Sequence, residues 1–343
     1  MTYELVKSLC ECPGIPGRER PIMEEIARQL EGLHCEKDAL GNMVVTVKEP
    51  DDGAKDILFE AHADRIGFVV TGFEKNGFVR IARAGGMDPY CAMGTMVSIE
   101  TKDGNWIHGA VGAPFPYPAK PHNSAPASEY KIPEFNAMFV DCGLADPAAA
   151  INIGASVLID AHCEKLLGSR VAAPALDDRA CCAALILAAK ELQKTDCPNG
   201  VKLLFSTREE TGGQGAKTGS FALEPDISVA LDVGFAISPD VTAKDASKMG
   251  EGPEIDISAM LDEELPFELE RIADEHEIKH QRLVLDSRST GTDADELVIS
   301  CSGRRTGLIS IPIRYMHHGC ETADLEDIEN TAKLIAAFAR EVR

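Results

Sequence analysis

The hydrophobic positions of the chain change period several times. Between Glu19 and Leu33, Ile22, Ile26 and Leu30 recur at helical spacing and predict an amphipathic helix. A shorter helix before it is capped by Thr2 and stopped by the Pro13-Gly14 pair. Asn42–Val47 reads as a strand, and Ile57–Ala61 as a buried one. From Phe68 to Ile159 no helical period is visible. Short β-type runs (Phe68–Thr71, Phe78–Ile81, Met96–Ile99, Ile107–Val111, Ser156–Ile159) are separated by Lys75-Asn76-Gly77, Gly85-Gly86 and Asp103-Gly104, and Pro114–Pro126 is rich in proline. After Gly168 the strand–helix rhythm returns. Arg179–Leu192, Leu265–Glu275 and a final segment capped by Asp324 and running to Val342 predict helices; Val201–Phe205, Ile227–Leu231, Arg282–Leu285 and Leu308–Ile313 predict strands. The expected fold is α/β, a mixed and largely parallel sheet flanked by helices. A small all-β domain at 68–164 is inserted between 1–67 and 165–343.

Composition narrows the function. The formal net charge is -22 and the pI about 4.8, so nucleic acid and anionic membranes are poor partners. The 11 cysteines are an odd number without a Cys-x-x-Cys, which argues for reduced thiols rather than a disulfide framework or a zinc ribbon. Met1–Gly14 has neither a long apolar run nor a basic leader, so no signal peptide or membrane span is expected and the cytoplasm is the default location.

In open α/β sheets, sites form beyond the carboxyl ends of the strands. His62-Ala63-Asp64 follows Ile57–Ala61, Arg208-Glu209-Glu210 follows Val201–Phe205, Asp232 follows Ile227–Leu231, and His317-His318 follows Leu308–Ile313. Asp177-Asp178 precedes the central helix. A lone histidine or acidic pair of this kind is usually structural, but so many at the predicted strand ends form the nitrogen and oxygen set that zinc, cobalt or manganese accept. His276-Glu277-Ile278-Lys279-His280 fits a single-zinc protease motif, yet it spans the predicted end of a helix, where its histidines would not share a face.

Several segments resemble the tetrahedral aminopeptidases, a family of dinuclear metallopeptidases that includes glutamyl aminopeptidase and has members labelled endoglucanases. They are Leu9–Gly14, Asp38-Ala39-Leu40-Gly41-Asn42, Ala61–Phe68, Gly85–Pro89, Pro174–Ala180, Arg208–Gly212, Met249–Pro253, Thr290–Ala294 and Ile311–His317, in family order over nearly the whole chain. The resemblance implies a zinc-peptidase-like catalytic domain and two divalent ions per subunit, zinc or cobalt. It makes His62 and Asp232 ligands of one ion, Glu210 and His317 ligands of the other, and Asp177 the bridge, with an Asp177–Asp178 bond that is often cis in related enzymes. Asp64 would orient His62, and Glu209 would be the general base in the hydrolysis of peptide substrates. The inserted domain would be a β-barrel-like dimerisation domain, and the dimers would build a tetrahedral dodecamer. Arg65 stands where the family commonly has Glu, and Cys181 where it has Gly. Arg65 could change the charge near His62 or form a surface ion pair. Three other readings stay open: a deacylase with a similar dinuclear centre, a glucanase using carboxylate pairs, which leaves the histidines without a role, and a non-enzymatic binding protein of the same fold.

Overall fold

The structure, a computed structural model, describes residues 1–113, 133–239, 241, 244–286 and 288–343; the proline-rich 114–126 lies outside them. The chain opens with α1 (Thr2–Cys10) and α2 (Arg20–Gln29), followed by β1 (His34–Lys37), β2 (Met43–Lys48) and β3 (Asp56–His62). Thr2 does not cap α1. It lies inside the helix behind Met1, and its hydroxyl donates to Glu329. The second helix stops short of Leu33 because Gly32 takes a positive φ of 96° and turns the chain into β1.

The next stretch holds β4 (Gly67–Phe73), β5 (Phe78–Ala84), α3 (Pro89–Ala92), β6 (Met96–Glu100), β7 (Trp106–Gly112), β8 (Phe139–Asp141), α4 (Pro147–Ala150) and β9 (Ser156–Ile159). The chain then continues through β10 (Glu164–Lys165), β11 (Arg170–Ala173), α5 (Leu176–Leu192), β12 (Gly200–Ser206), α6 (Gln214–Leu223), β13 (Ile227–Phe235), β14 (Glu254–Ile257), α7 (Leu265–Glu275), β15 (Gln281–Val284), α8 (Ala294–Val298), β16 (Arg305–Ile313), β17 (Glu321–Asp324) and α9 (Leu325–Glu341).

Two compact units result. The first comprises 1–65, 162–316 and 320–343, the second 66–161 and 317–319. The first contains an eight-stranded sheet in the order β1-β2-β12-β3-β13-β16-β14-β15. Its centre, β12-β3-β13-β16, is parallel, while β2 and β14 run antiparallel to their inner neighbours. Alternation along each central strand sends side chains to opposite faces. Ile57, Phe59 and Ala61 of β3, with Leu203 and Phe205 of β12 and Val229 and Leu231 of β13, join the large core that holds α1, α2, α5, α7 and α9. Leu58, Leu204, Ala230 and Leu308 face the other way and pack with Ala216 of α6 and Leu297 of α8. The helix α5 is buried nearly all round, which explains its small, apolar make-up.

In the second unit, β4-β5-β8-β7-β6-β9 close into a barrel. Phe68, Val70, Val79, Ile81, Val97 and Ile99 are among the residues of its separate core. Closure leaves no free strand edge.

Phe59 is fully buried and meets Phe338 of α9 edge-on, with ring centroids 6.3 Å apart. Phe59→Ala is expected to cost about 3–5 kcal/mol in denaturant unfolding.

Candidate active site and metal centre

The alternation that divides the core also aims the site. Glu60 and His62 share the face of Leu58, and Asp232 shares the face of Ala230, so these polar groups emerge on the α6–α8 side at the carboxyl ends of parallel strands. Asp232 is not beyond its strand, as its apolar run predicts, but within it. Pairing of β13 with β16 continues as far as Phe235 opposite Ile313.

Asp177 arrives from the start of α5, where Asp177 and Asp178 have non-helical dihedrals and the peptide bond between them is cis. Its N–H donates to Glu321 Oε2 at 3.0 Å. His62, Asp177 and Asp232 are all buried and present ligand atoms within 4.8 Å of one another. His62 Nε2 lies 3.1 Å from Asp177 Oδ1. Asp177 also offers an oxygen within 4.8 Å of one from Glu210. His317 follows β16 in the chain and belongs to the second unit, where its ring packs against Gly86; a Cβ at Gly86 would lie 3.0 Å from the imidazole.

Asp64 is fully buried and faces two directions. One oxygen lies 3.5 Å from His62 Nδ1, and its carboxylate accepts the backbone N–H groups of Glu209 at 3.1 Å and Glu210 at 3.2 Å. His62 therefore turns Nδ1 to Asp64 and Nε2 to Asp177. Glu209 Oε2 stands 4.0 Å from that Nε2.

Burial is the main force on these carboxyls. It pushes Glu209 up to about 9, aided by the charges of Asp293, Asp177 and Glu210 against the opposing pull of His62. Burial first and Asp177 and Glu209 second hold Asp232 well above the ordinary range. Asp178 is raised by burial and then by Asp232, with the Cys181 thiol pulling the other way. Burial would depress the His62 imidazolium, but Asp177, Asp64 and Glu209 outweigh it and raise it well above the usual value. Such a crowd of desolvated acids around one imidazole fits a divalent cation in chemistry and in donor type.

Some site neighbours escape a sequence reading. Glu60 is fully buried beneath His62; an acid inside the otherwise apolar Ile57–Ala61 run was the available signal. Asp293 is buried and accepts the Ser206 hydroxyl at 2.8 Å. Glu321 has no periodicity to betray it. Arg65 is not a surface ion-pair partner. It is buried, donates to Cys10 O at 3.3 Å, and is pushed down to about 10 by burial and by Arg179. Cys181 is buried, and its thiol lies 3.1 Å from Asp232 O. His276 and His280 do not converge on a metal. His276 ends α7 and pairs with Glu341, whereas His280 meets Ile278 O.

Histidine and carboxylates gathered at the ends of the parallel strands of an α/β sheet suit a metal-dependent hydrolase. Residues 41–334 match the model of the M42 glutamyl aminopeptidases, and the chain belongs to that family of aminopeptidases. The lysyl aminopeptidase of Pyrococcus furiosus is 32% identical, the match covering 99% of this chain and 97% of the relative. Among solved structures, an aminopeptidase from the archaeon Desulfurococcus kamchatkensis superposes with a TM-score of 0.90 at 27% identity, covering 99% of this chain and 95% of the other. The Pyrococcus horikoshii TET1 peptidase, described as able to assemble into a tetrahedron or a large octahedral shell, gives a TM-score of 0.86 at 30% identity over 100% of both chains.

The raised carboxyls fix a pH dependence for the metal-free protein. At pH below the ordinary carboxyl range, folded and unfolded chains both hold these protons. Above it the unfolded chain releases them, while Glu209, at about 9, does not until it unfolds or pH passes that value. Stability is therefore lost as pH rises through this window. The melting temperature of chelator-treated protein should fall between pH 5 and pH 9, and added zinc or cobalt should raise it and flatten the slope.

Proposed function

We propose that this aminopeptidase removes N-terminal residues from peptides with two divalent ions, zinc or cobalt, and with Glu209 as general base. The observation that carries the reading is the buried convergence of His62, Asp177 and Asp232, with Asp177 also close to Glu210. His62 and Asp232 would hold one ion, Glu210 and His317 the other, and Asp177 both. When bound, such ions polarise a peptide carbonyl and lower the pKa of water.

The chain's own residues supply the rest. Asp64, at His62 Nδ1, favours the tautomer with the proton on Nδ1, which leaves the Nε2 lone pair available to a metal. The same carboxylate holds the backbone of Glu209 and Glu210 through their N–H groups, so the two neighbours can divide their work, one as ligand and one as base. Glu209 is only partly buried, its side chain 18% exposed, and is close enough to His62 to take a proton from water at the centre and return it to the leaving amine. Asp177, Asp178 and Asp232 are buried away from water.

A deacylase acting on N-acyl amino acids would share this chemistry; the requirement for a free α-amine separates the two. A glucanase needs carboxylates on either side of a glycosidic bond and no histidine, which suits the His62-centred arrangement poorly. The assembly described for the TET1 peptidase supports a homo-oligomer here, with the barrel as dimerisation domain. Among the described residues no helix is long and apolar enough to cross a membrane, and the reduced thiols agree with the cytoplasm, the free state of every cysteine included.

Glu209→Gln should lower kcat for aminoacyl-anilides by about 10²–10⁴-fold while metal content stays at the wild-type level. Chelation should abolish turnover, and zinc or cobalt should restore it. Full activity in metal-free protein, or an unchanged kcat in Glu209→Gln, would end the reading.

A further inference from the structure

We infer that Asn42 is a positioning residue for Glu209 and Glu210, acting through the donors and acceptor of its carboxamide. The inference rests on the roles given above to those two glutamates. Asn42 is fully buried just before β2; because β2 runs antiparallel to β12 with Met43 opposite Phe205, it lies at the carboxyl end of β12, and its side chain spends every hydrogen-bonding position. Its Oδ1 accepts both the N–H and the hydroxyl of Thr207 at 3.0 Å. Its Nδ2 donates to Gly215 O at 2.9 Å and to Asp38 Oδ2 at 2.7 Å. The amide orientation is unambiguous, because the Thr207 N–H can only donate and the Gly215 carbonyl can only accept.

Thr207 and Gly215 are the two ends of the loop that carries Glu209 and Glu210. Gly215 N–H closes that loop on Thr207 O at 3.0 Å. The ends are pressed together so closely that a Cβ at Gly215 would lie 2.3 Å from Thr207 O and 2.6 Å from Asn42 Oδ1. Asn42 thus clamps the base of the loop while Asp64 holds its tip. Behind it, Asp38 Oδ1 accepts the N–H groups of Leu40, Gly41 and Asn42 at 2.8, 2.8 and 3.0 Å, so the turn that presents the amide is itself fastened. A buried asparagine that merely satisfied its own turn would need only the Asp38 bond; the three bonds to Thr207 and Gly215 reach a segment far along the chain.

Asn42→Asp is the sharpest probe. It keeps size and acceptor but points an oxygen at the Asp38 carboxylate and the Gly215 carbonyl. The exchange Asp38→Asn with Asn42→Asp gives back one donor between positions 38 and 42. In the metal-loaded enzyme, Asn42→Asp should lower kcat by about 10²-fold, the loss a misplaced catalytic group can cause, with KM changed by less than about threefold. The double exchange should recover about tenfold of that loss, the size of one hydrogen bond to a charged group. In metal-free protein, Asn42→Asp should speed tryptic cleavage after Arg208. Thr207→Val, which removes only the hydroxyl donor, should give a smaller kcat loss of about threefold and serves if Asn42→Asp does not fold. Wild-type kcat in Asn42→Asp, or no recovery in the double exchange, overturns the inference, as does wild-type kcat in Thr207→Val when that variant stands in. Unchanged cleavage after Arg208 in Asn42→Asp also overturns it, whatever Glu209→Gln shows. Full turnover in Glu209→Gln would instead remove the general base and leave the cleavage result standing.

Discussion

The carboxylate of Asp64 joins two loops that leave the sheet side by side. In the parallel pairing of β3 with β12, Ser206 sits opposite His62, so the segments after each strand begin level with one another. Asp64 then faces the His62 ring and receives two backbone N–H groups from the neighbouring loop. A buried carboxylate with that many partners needs no water. Without it, the imidazole and the two glutamates would each be set only by their own strand end, and no common centre would be defined.

That centre is expensive for the fold. Glu60, Asp177, Asp178 and Asp232 are all buried, and burial opposes their charge. The large core around α5 supplies the stability that permits it: the helix is lined by Ala183, Leu185, Ile186 and Ala189 on the sheet's other face, while its first residues carry Asp177 and Asp178 into the site. One element therefore serves packing at its body and chemistry at its start. A cation among these acids would exchange mutual repulsion for attraction, which couples ligand binding to the integrity of this end of the sheet.

The sheet's central strands were legible because their apolar runs are long and bounded, and the all-β character of the inserted unit because short β-type runs with turn signals replace the helical period. His62 and Asp232 stood out because each directly follows an apolar run, and Glu210 because it lies in the short polar segment after Val201–Phe205. What was not legible depended on partners distant in the chain. Strand β1 is an exposed edge strand, His-Cys-Glu-Lys, with no hydrophobic alternation. Asp232 looked like a residue after a strand because the run of large aliphatics stops at Leu231, although pairing does not. Arg65 has the composition of a surface residue, and in the interior its guanidinium donates to the backbone carbonyl of Cys10 and is drawn by the charge of Glu321. The His276–His280 motif was doubted on local grounds, and α7 does end at Glu275, so its two rings do not share a helix face.

The order of strands in the main sheet bears on how the protein is made. The native neighbours of β3 are β12 and β13, which begin only at Gly200 and Ile227. During synthesis, His62 and Asp64 leave the ribosome long before either flanking strand exists, and the whole barrel segment follows them first. Pairings so far apart in the chain form slowly. A chain arranged this way cannot bring His62 and Asp232 together until Ile227–Phe235 has been made.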